Sequence, residues 1–86
     1  MSRQRSIEKI AGSEYVTIGE LVRLTGMRYS TLKHYTEEGM LPFEQAEENL
    51  TRRYNRVNTV ARLNQIKQMK ADGLSIPQIK ESLAIL

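Results

Sequence analysis

The chain has 86 residues, enough for one small domain, and a domain of this size buries only roughly 60% of the surface its unfolded form exposes. It has no cysteine and a single histidine, which excludes disulfide staples and thiolate metal sites and leaves no donor cluster for a metal or cofactor and no nucleophile–base constellation for catalysis. Thirteen Lys and Arg against ten Asp and Glu give a net charge of +3, a mild basic bias that permits nucleic acid as a partner without demanding it.

Residues 1–14 are polar, lack the apolar core of a signal peptide, and read as a flexible N-terminal arm ahead of one domain over 15–86. The arm carries Arg3 and Arg5, which suit phosphates. Its Ile7 and Ile10, three residues apart, allow a short amphipathic turn that could serve as a dimer contact. No apolar run approaches the roughly 20 residues of a membrane span.

Thr17-Ile-Gly-Glu20 is a capping box: the Thr hydroxyl can accept from the Glu20 amide while the Glu carboxylate reaches back. Ile18, Leu21, Val22 and Leu24 follow as a buried stripe to about Thr25, and Gly26 stands where a left-handed helix cap wants glycine. Met27 then plugs the turn.

The next stretch, Tyr29 to Glu38, predicts a short helix with an apolar side at Leu32 and Tyr35. At about 100° per residue, Lys33 lies about 100° and His34 about 200° around from Leu32, so Ser30, Lys33 and His34 form a polar side. So short a helix needs its neighbours to hold it. Its cap is either Arg28, a poor cap residue, or Ser30 one turn later. Helix, glycine turn, helix is the helix-turn-helix pattern.

Gly39 closes this helix, Met40 and Leu41 read as buried, and Pro42 blocks continuation. Phe43 to Asn55 has no helical stripe and predicts a β-hairpin, or wing, turning near Glu48–Asn49. Val57, Val60, Leu63, Ile66 and Met69, with Ala61, predict a long helix over about 56–71, capped by Asn55 or Asn58 and closed by Asp72-Gly73. Ser75-Ile-Pro-Gln78 is a second capping box opening a last helix with Ile79 and Leu83 inside. The fold class is mainly α with a small β-hairpin: about four helices plus a wing.

These pieces resemble the DNA-binding domain of MerR-type regulators, a branch of the winged helix-turn-helix proteins. The resemblance rests on Ile18-Gly19-Glu20-Leu21, Thr25-Gly26, Thr31-Leu32-Lys33-His34-Tyr35, Glu38-Gly39-Met40-Leu41, Arg52-Arg53-Tyr54 and Asp72-Gly73-Leu74-Ser75-Ile76, in order over about Tyr15 to Leu83. Lys33 stands where the family usually has Arg, and Gln45 where the wing usually has Arg. The wing is about one residue longer than usual and lacks the Asn-Gly turn. Glu44, Glu47 and Glu48 make its tip acidic. The chain ends where family members normally enter a long dimerisation helix and an effector domain, so the resemblance implies either a piece of a longer member or a short member without an effector domain. The lack of a signal-peptide core and of a membrane span makes the cytoplasm, at the nucleoid, the expected place.

A helix-turn-helix puts the start of its second helix into the major groove. That assigns base edges or nearby phosphates to Arg28, Tyr29, Ser30, Lys33 and His34, with Arg and Lys suited to guanine acceptors. Tyr35 packs its ring beside Leu32 and is expected to offer its hydroxyl to a phosphate. Thr17 is placed to present helix N-terminal amides to the backbone, and Arg52, Arg53 and Arg56 at the wing's base hold phosphates and set register. The expected function is a sequence-specific transcription regulator on double-stranded DNA, a homodimer on a palindromic site. Contacts to a second copy or another protein would run through Ile7 and Ile10 of the arm or Ile85 and Leu86 at the end. The alternatives are an architectural, recombination or plasmid-segregation accessory protein binding direct repeats cooperatively, and a protein-interaction module that has lost DNA. No enzyme activity and no cofactor is expected.

Overall fold

Ser6 starts the first helix, α1 (Ile7–Ala11), by accepting a hydrogen bond from the Lys9 amide at 3.2 Å. The computed structural model describes residues 5–47 and 51–85. A five-residue helix has almost no stability of its own. What holds α1 is Ile10, which is fully buried and packs with the core, a contribution of about 1.5–3 kcal/mol. So where a flexible arm is expected over 1–14, residues 5–14 are folded onto the domain; Arg3 lies outside the described residues. This α1 makes five helices among the described residues where about four are expected.

The chain continues through β1 (Tyr15–Val16), α2 (Ile18–Thr25), α3 (Tyr29–Glu37), β2 (Tyr54–Asn55), α4 (Arg56–Ala71) and α5 (Ile76–Ile85). The predicted capping box opens α2: Thr17 accepts from the Glu20 amide at 3.2 Å and Glu20 accepts from the Thr17 amide at 2.9 Å. Gly26 ends α2 at φ 72, its amide donating to the Val22 carbonyl at 2.9 Å. Any side chain there would be held in the left-handed region. The Thr25 hydroxyl accepts from the Met27 amide at 3.2 Å and so pins the turn into α3.

The cap of α3 is Arg28, and it makes no side-chain cap bond. The helix is held instead by packing: Leu32, Tyr35 and Thr36 are buried. At its end the Gly39 amide donates to Thr36 O at 3.1 Å and the Met40 amide to Tyr35 O at 2.9 Å. This is a Schellman closure, and it drives Met40 and then Leu41 into the core.

The two-stranded sheet is not a local hairpin. Strand β1 pairs antiparallel with β2, Tyr15 opposite Asn55 and Val16 opposite Tyr54. The wing's own arms meet through Glu44 and Arg53, which exchange both backbone hydrogen bonds at 2.7 and 2.8 Å. The turn expected near Glu48–Asn49 lies outside the described residues.

In α4, Asn55 is the cap and accepts from the Asn58 amide at 3.0 Å. The stripe is shorter than expected, because Val57 is 59% exposed while Leu63, Ile66 and Thr59 are buried. At about 100° per residue, steps of three drift backwards by about 60°, so Val57 ends about 180° from Ile66 and cannot share its face. Ser75 and Gln78 open α5 with the predicted reciprocal bonds at 2.8 and 3.4 Å, and Ile79 and Leu83 bury into the common core.

Candidate nucleic-acid interface

Burying Leu32, Tyr35 and Thr36 turns the other side of α3 outward, and Arg28, Tyr29, Ser30, Lys33 and His34 are all exposed there. Tyr29 is 53% exposed, a large ring left on the surface at the first residue of the helix. The expected polar face is therefore presented as a unit. Tyr35 is the correction within it. It is only 3% exposed, since at about 300° from Leu32 it falls on the same buried stripe. Its ring belongs to the core, and it drops out of the surface set.

Thr17 lies at the N-terminus of α2, half-buried, but the capping box commits its own amide and that of Glu20 internally. The amides it was expected to present are therefore not those two. It lines two adjoining hollows. One, of about 560 Å³, runs from Thr17 along α2 through Val22 and Arg23 to Tyr29. The other, of about 320 Å³, joins Thr17 to Tyr15 and Arg53. Arg5 and Glu20 line both. The fold thus sets the start of α3, the start of α2 and the wing's Arg53 along one continuous surface.

The three wing arginines separate. Arg53 is exposed and free to reach outward. Arg52 is half-buried, with its guanidinium carbon 4.7 Å over the Phe43 ring, a cation–π contact that restricts its direction. Phe43 in turn lies 6.1 Å from Tyr54, centre to centre. Arg56 is half-buried and donates through Nε to the Ser13 carbonyl at 2.8 Å, while its amide donates to Glu14 O at 2.9 Å. That fastens the α1–β1 loop to α4, a structural role for Arg56 beside the phosphate role expected of it.

The wing's acids also divide. The Tyr15 hydroxyl donates to Glu44 at 3.3 Å, and the charge of Glu44 holds the Tyr15 phenol above its ordinary range. Glu44 is thus tied at the wing's base, Glu47 is exposed, and Glu48 lies outside the described residues.

Arg23 was missed from sequence, and Arg5, read there as an arm residue suited to phosphates, is tied into the fold. Arg5 donates from Nε and Nη2 to the Glu20 carboxylate at 2.6 and 2.7 Å, from Nη1 to Ser13 Oγ at 2.9 Å and from Nη2 to the Tyr15 carbonyl at 3.2 Å. This bidentate pair, with burial working against it and the Thr17 amide adding to it, holds the Glu20 carboxyl at about 2. Arg23 is exposed on α2, donates to the Arg5 carbonyl and lines the hollow with Tyr29. Its position two residues after Leu21 put it off the buried stripe, a signal the helix pattern did contain. Nothing local marked the pairing of Arg5 with a carboxylate 15 residues away.

No helix among the described residues is long and apolar enough to cross a membrane. A family model described as "MerR HTH family regulatory protein" matches residues 16–85. Two curated relatives are both called nodulation protein NolA, one from Bradyrhizobium elkanii and one from Bradyrhizobium sp. (strain NC92). They are 33% and 32% identical over 66 residues, which is 77% of this chain. The aligned stretch is 30% and 27% of the relatives' own lengths, so the chain spans less than a third of either. No solved structure gives a significant match.

Proposed function

The chain belongs to the MerR family of helix-turn-helix regulatory proteins, and from that premise we propose that it is a sequence-specific regulator of transcription that binds double-stranded DNA. The observation that carries this reading is the exposed face of α3, from Arg28 to His34, standing opposite its buried Leu32 and Tyr35. In the proposed complex the N-terminal half of α3 enters the major groove. Lys33 and Arg28 donate to guanine O6 and N7, and Ser30 and His34 read neighbouring edges. Arg53, with Arg52 behind it, takes the phosphate backbone beside that groove and sets register. His34 serves as a groove contact and carries no catalytic role.

A single domain of this size covers only about 600–1,000 Å² of DNA, so tight binding calls for two copies on a two-fold site. Ile7, 45% exposed, stays available to a second copy, whereas Ile10 is consumed by the core. Ile85 and Leu86 remain proposed contacts whose side chains lie outside the described residues. The site of action is the bacterial nucleoid.

The test is selection of duplexes from a random pool, read for both motif and half-site orientation. Inverted half-sites support the dimeric regulator, and an array of direct repeats favours the architectural or segregation role. Lys33→Ala should cost about 1–3 kcal/mol and relax preference at one base position, and Arg53→Ala should weaken all sequences alike and reduce the salt slope by about one. A selected site whose affinity survives both changes together overturns the reading.

A further inference from the structure

The family match begins at residue 16, yet the chain ahead of it is built into the fold. Arg5 is the centre of that construction. Its guanidinium joins the first turn of α2 (Glu20), the α1–β1 loop (Ser13) and β1 (Tyr15), and its carbonyl accepts from Arg23 near the end of α2. The same loop is held from the other side. Arg56 reaches Ser13 O through its side chain and Glu14 O through its amide, Tyr15 reaches Glu44 of the wing, and β1 pairs with β2. Residues 5–15 therefore touch both the helix-turn-helix and the wing, while the wing's own arms share a single bridge among the described residues.

We propose that residues 5–15 act as a strap that fixes the wing relative to the helix-turn-helix, and that Arg5 is the positioning residue for DNA binding at its helix-turn-helix end. Arg5 does not touch DNA in this scheme; it acts through Glu20. β2, and Arg53 beside it, is set relative to α3 by its pairing with β1 together with the Thr36–Tyr54 hydroxyl contact, and Arg5 secures the β1 side of that frame. The geometry asks for Arg in particular. A guanidinium fork spans a carboxylate bidentately and still reaches Ser13 and Tyr15, which an ammonium cannot do. The DNA part of this proposal rests on the function proposed above.

Two measurements test it on the full chain. The first needs no DNA. The Arg56 amide is the first in α4, where no intrahelical acceptor exists, so its protection from hydrogen exchange comes from Glu14 O and reports the strap directly. Glu20→Gln keeps the capping-box acceptor but removes the charge that holds Arg5. In Glu20→Gln and in Arg5→Lys the rise in exchange at the Arg56 amide should exceed, by at least about tenfold, the rise at the Ile66 amide in mid-helix, which reports the loss of global stability. An unchanged Arg56 rate, or an equal rise at Ile66 and Arg56, overturns the strap. The second measurement is affinity for the duplex selected by the wild type. Glu20→Gln, Arg5→Lys and the double variant should all lose about tenfold, without adding. If Arg5→Lys or Glu20→Gln leaves affinity unchanged, or Glu20→Gln raises it, Arg5 is at most a direct phosphate contact and the positioning role falls. A wild type that selects no duplex ends the DNA reading, and the exchange rates still decide the strap.

Discussion

A buried pair of hydroxyls joins α3 to the wing, and its energetics can be worked out from the direction of each proton. Thr36 Oγ1 lies 2.8 Å from the Leu32 carbonyl and 3.0 Å from the Tyr54 hydroxyl. A carbonyl can only accept, so the Thr36 proton points at Leu32. Tyr54 must therefore donate to Thr36. Tyr54 is fully buried and Thr36 nearly so, which leaves water no access to either group. Tyr54→Phe removes the donor but leaves the Thr36 proton satisfied, so it should cost about 1 kcal/mol. Thr36→Val removes the acceptor and strands the Tyr54 proton in the core. That adds a desolvation penalty, for a total of about 2–3 kcal/mol. In a domain of this size each kcal/mol moves Tm by about 4–8 °C. Tyr54→Phe should then lower Tm by about 4–8 °C, and Thr36→Val by roughly twice as much. The double variant should be more stable than Thr36→Val alone, since the stranded proton is gone. Calorimetry on the four proteins measures all of this. If Thr36→Val costs no more than Tyr54→Phe, or the double variant shows no recovery, the donor assignment is wrong.

The Glu20 carboxyl, held at about 2 against an ordinary 4.5, is charged and paired in the fold. Its depressed folded value means its stabilisation is complete above pH 4.5 and is lost as the pH falls from there towards 2. After discounting for the half-exposed Arg5 partner, Glu20→Gln should cost about 2 kcal/mol near neutral pH and nothing at the acid end. Denaturant titrations of the two proteins across the acid range should therefore converge; parallel curves would refute the pairing. Gly26→Ala meets open space but a φ of 72, so it should destabilise by about 1–2 kcal/mol, whereas Gly19→Ala at ordinary φ should not; urea midpoints compare them. Leu32→Ala, under α3, should cost about 2–5 kcal/mol and weaken DNA binding only in proportion to the unfolded fraction. A larger loss of binding at full folding would mean that Leu32 also shapes the DNA-facing surface.

The sequence alone determined what depends on neighbours a few residues away. Both capping boxes, the glycines that end α2, α3 and α4, the stripe of Leu32 and Tyr35 and the exposed run from Arg28 to His34 are all local consequences of chain geometry. The family resemblance was legible for the same reason, since its motifs sit at those caps and turns. The cap of α3 stayed open because Arg28 gives no side-chain signal, and packing settled it.

Only the tertiary structure decided which charges are used up inside the protein. Arg52, Arg53 and Arg56 look alike in sequence, yet one stacks on Phe43, one is exposed and one is tied through Nε to the Ser13 carbonyl. Val57 belonged to a stripe of three-residue steps that winds around α4 faster than its core-facing side can follow. Ile10 and Arg5 read as a loose arm because a five-residue helix carries too little of its own stability to announce itself. Its burial and its pairing with Glu20 come from a segment 15 residues on. Long-range partners close large loops at a small entropic cost but leave no periodic trace in the chain, which is why the strap and the division of labour among the arginines emerged only from the folded form.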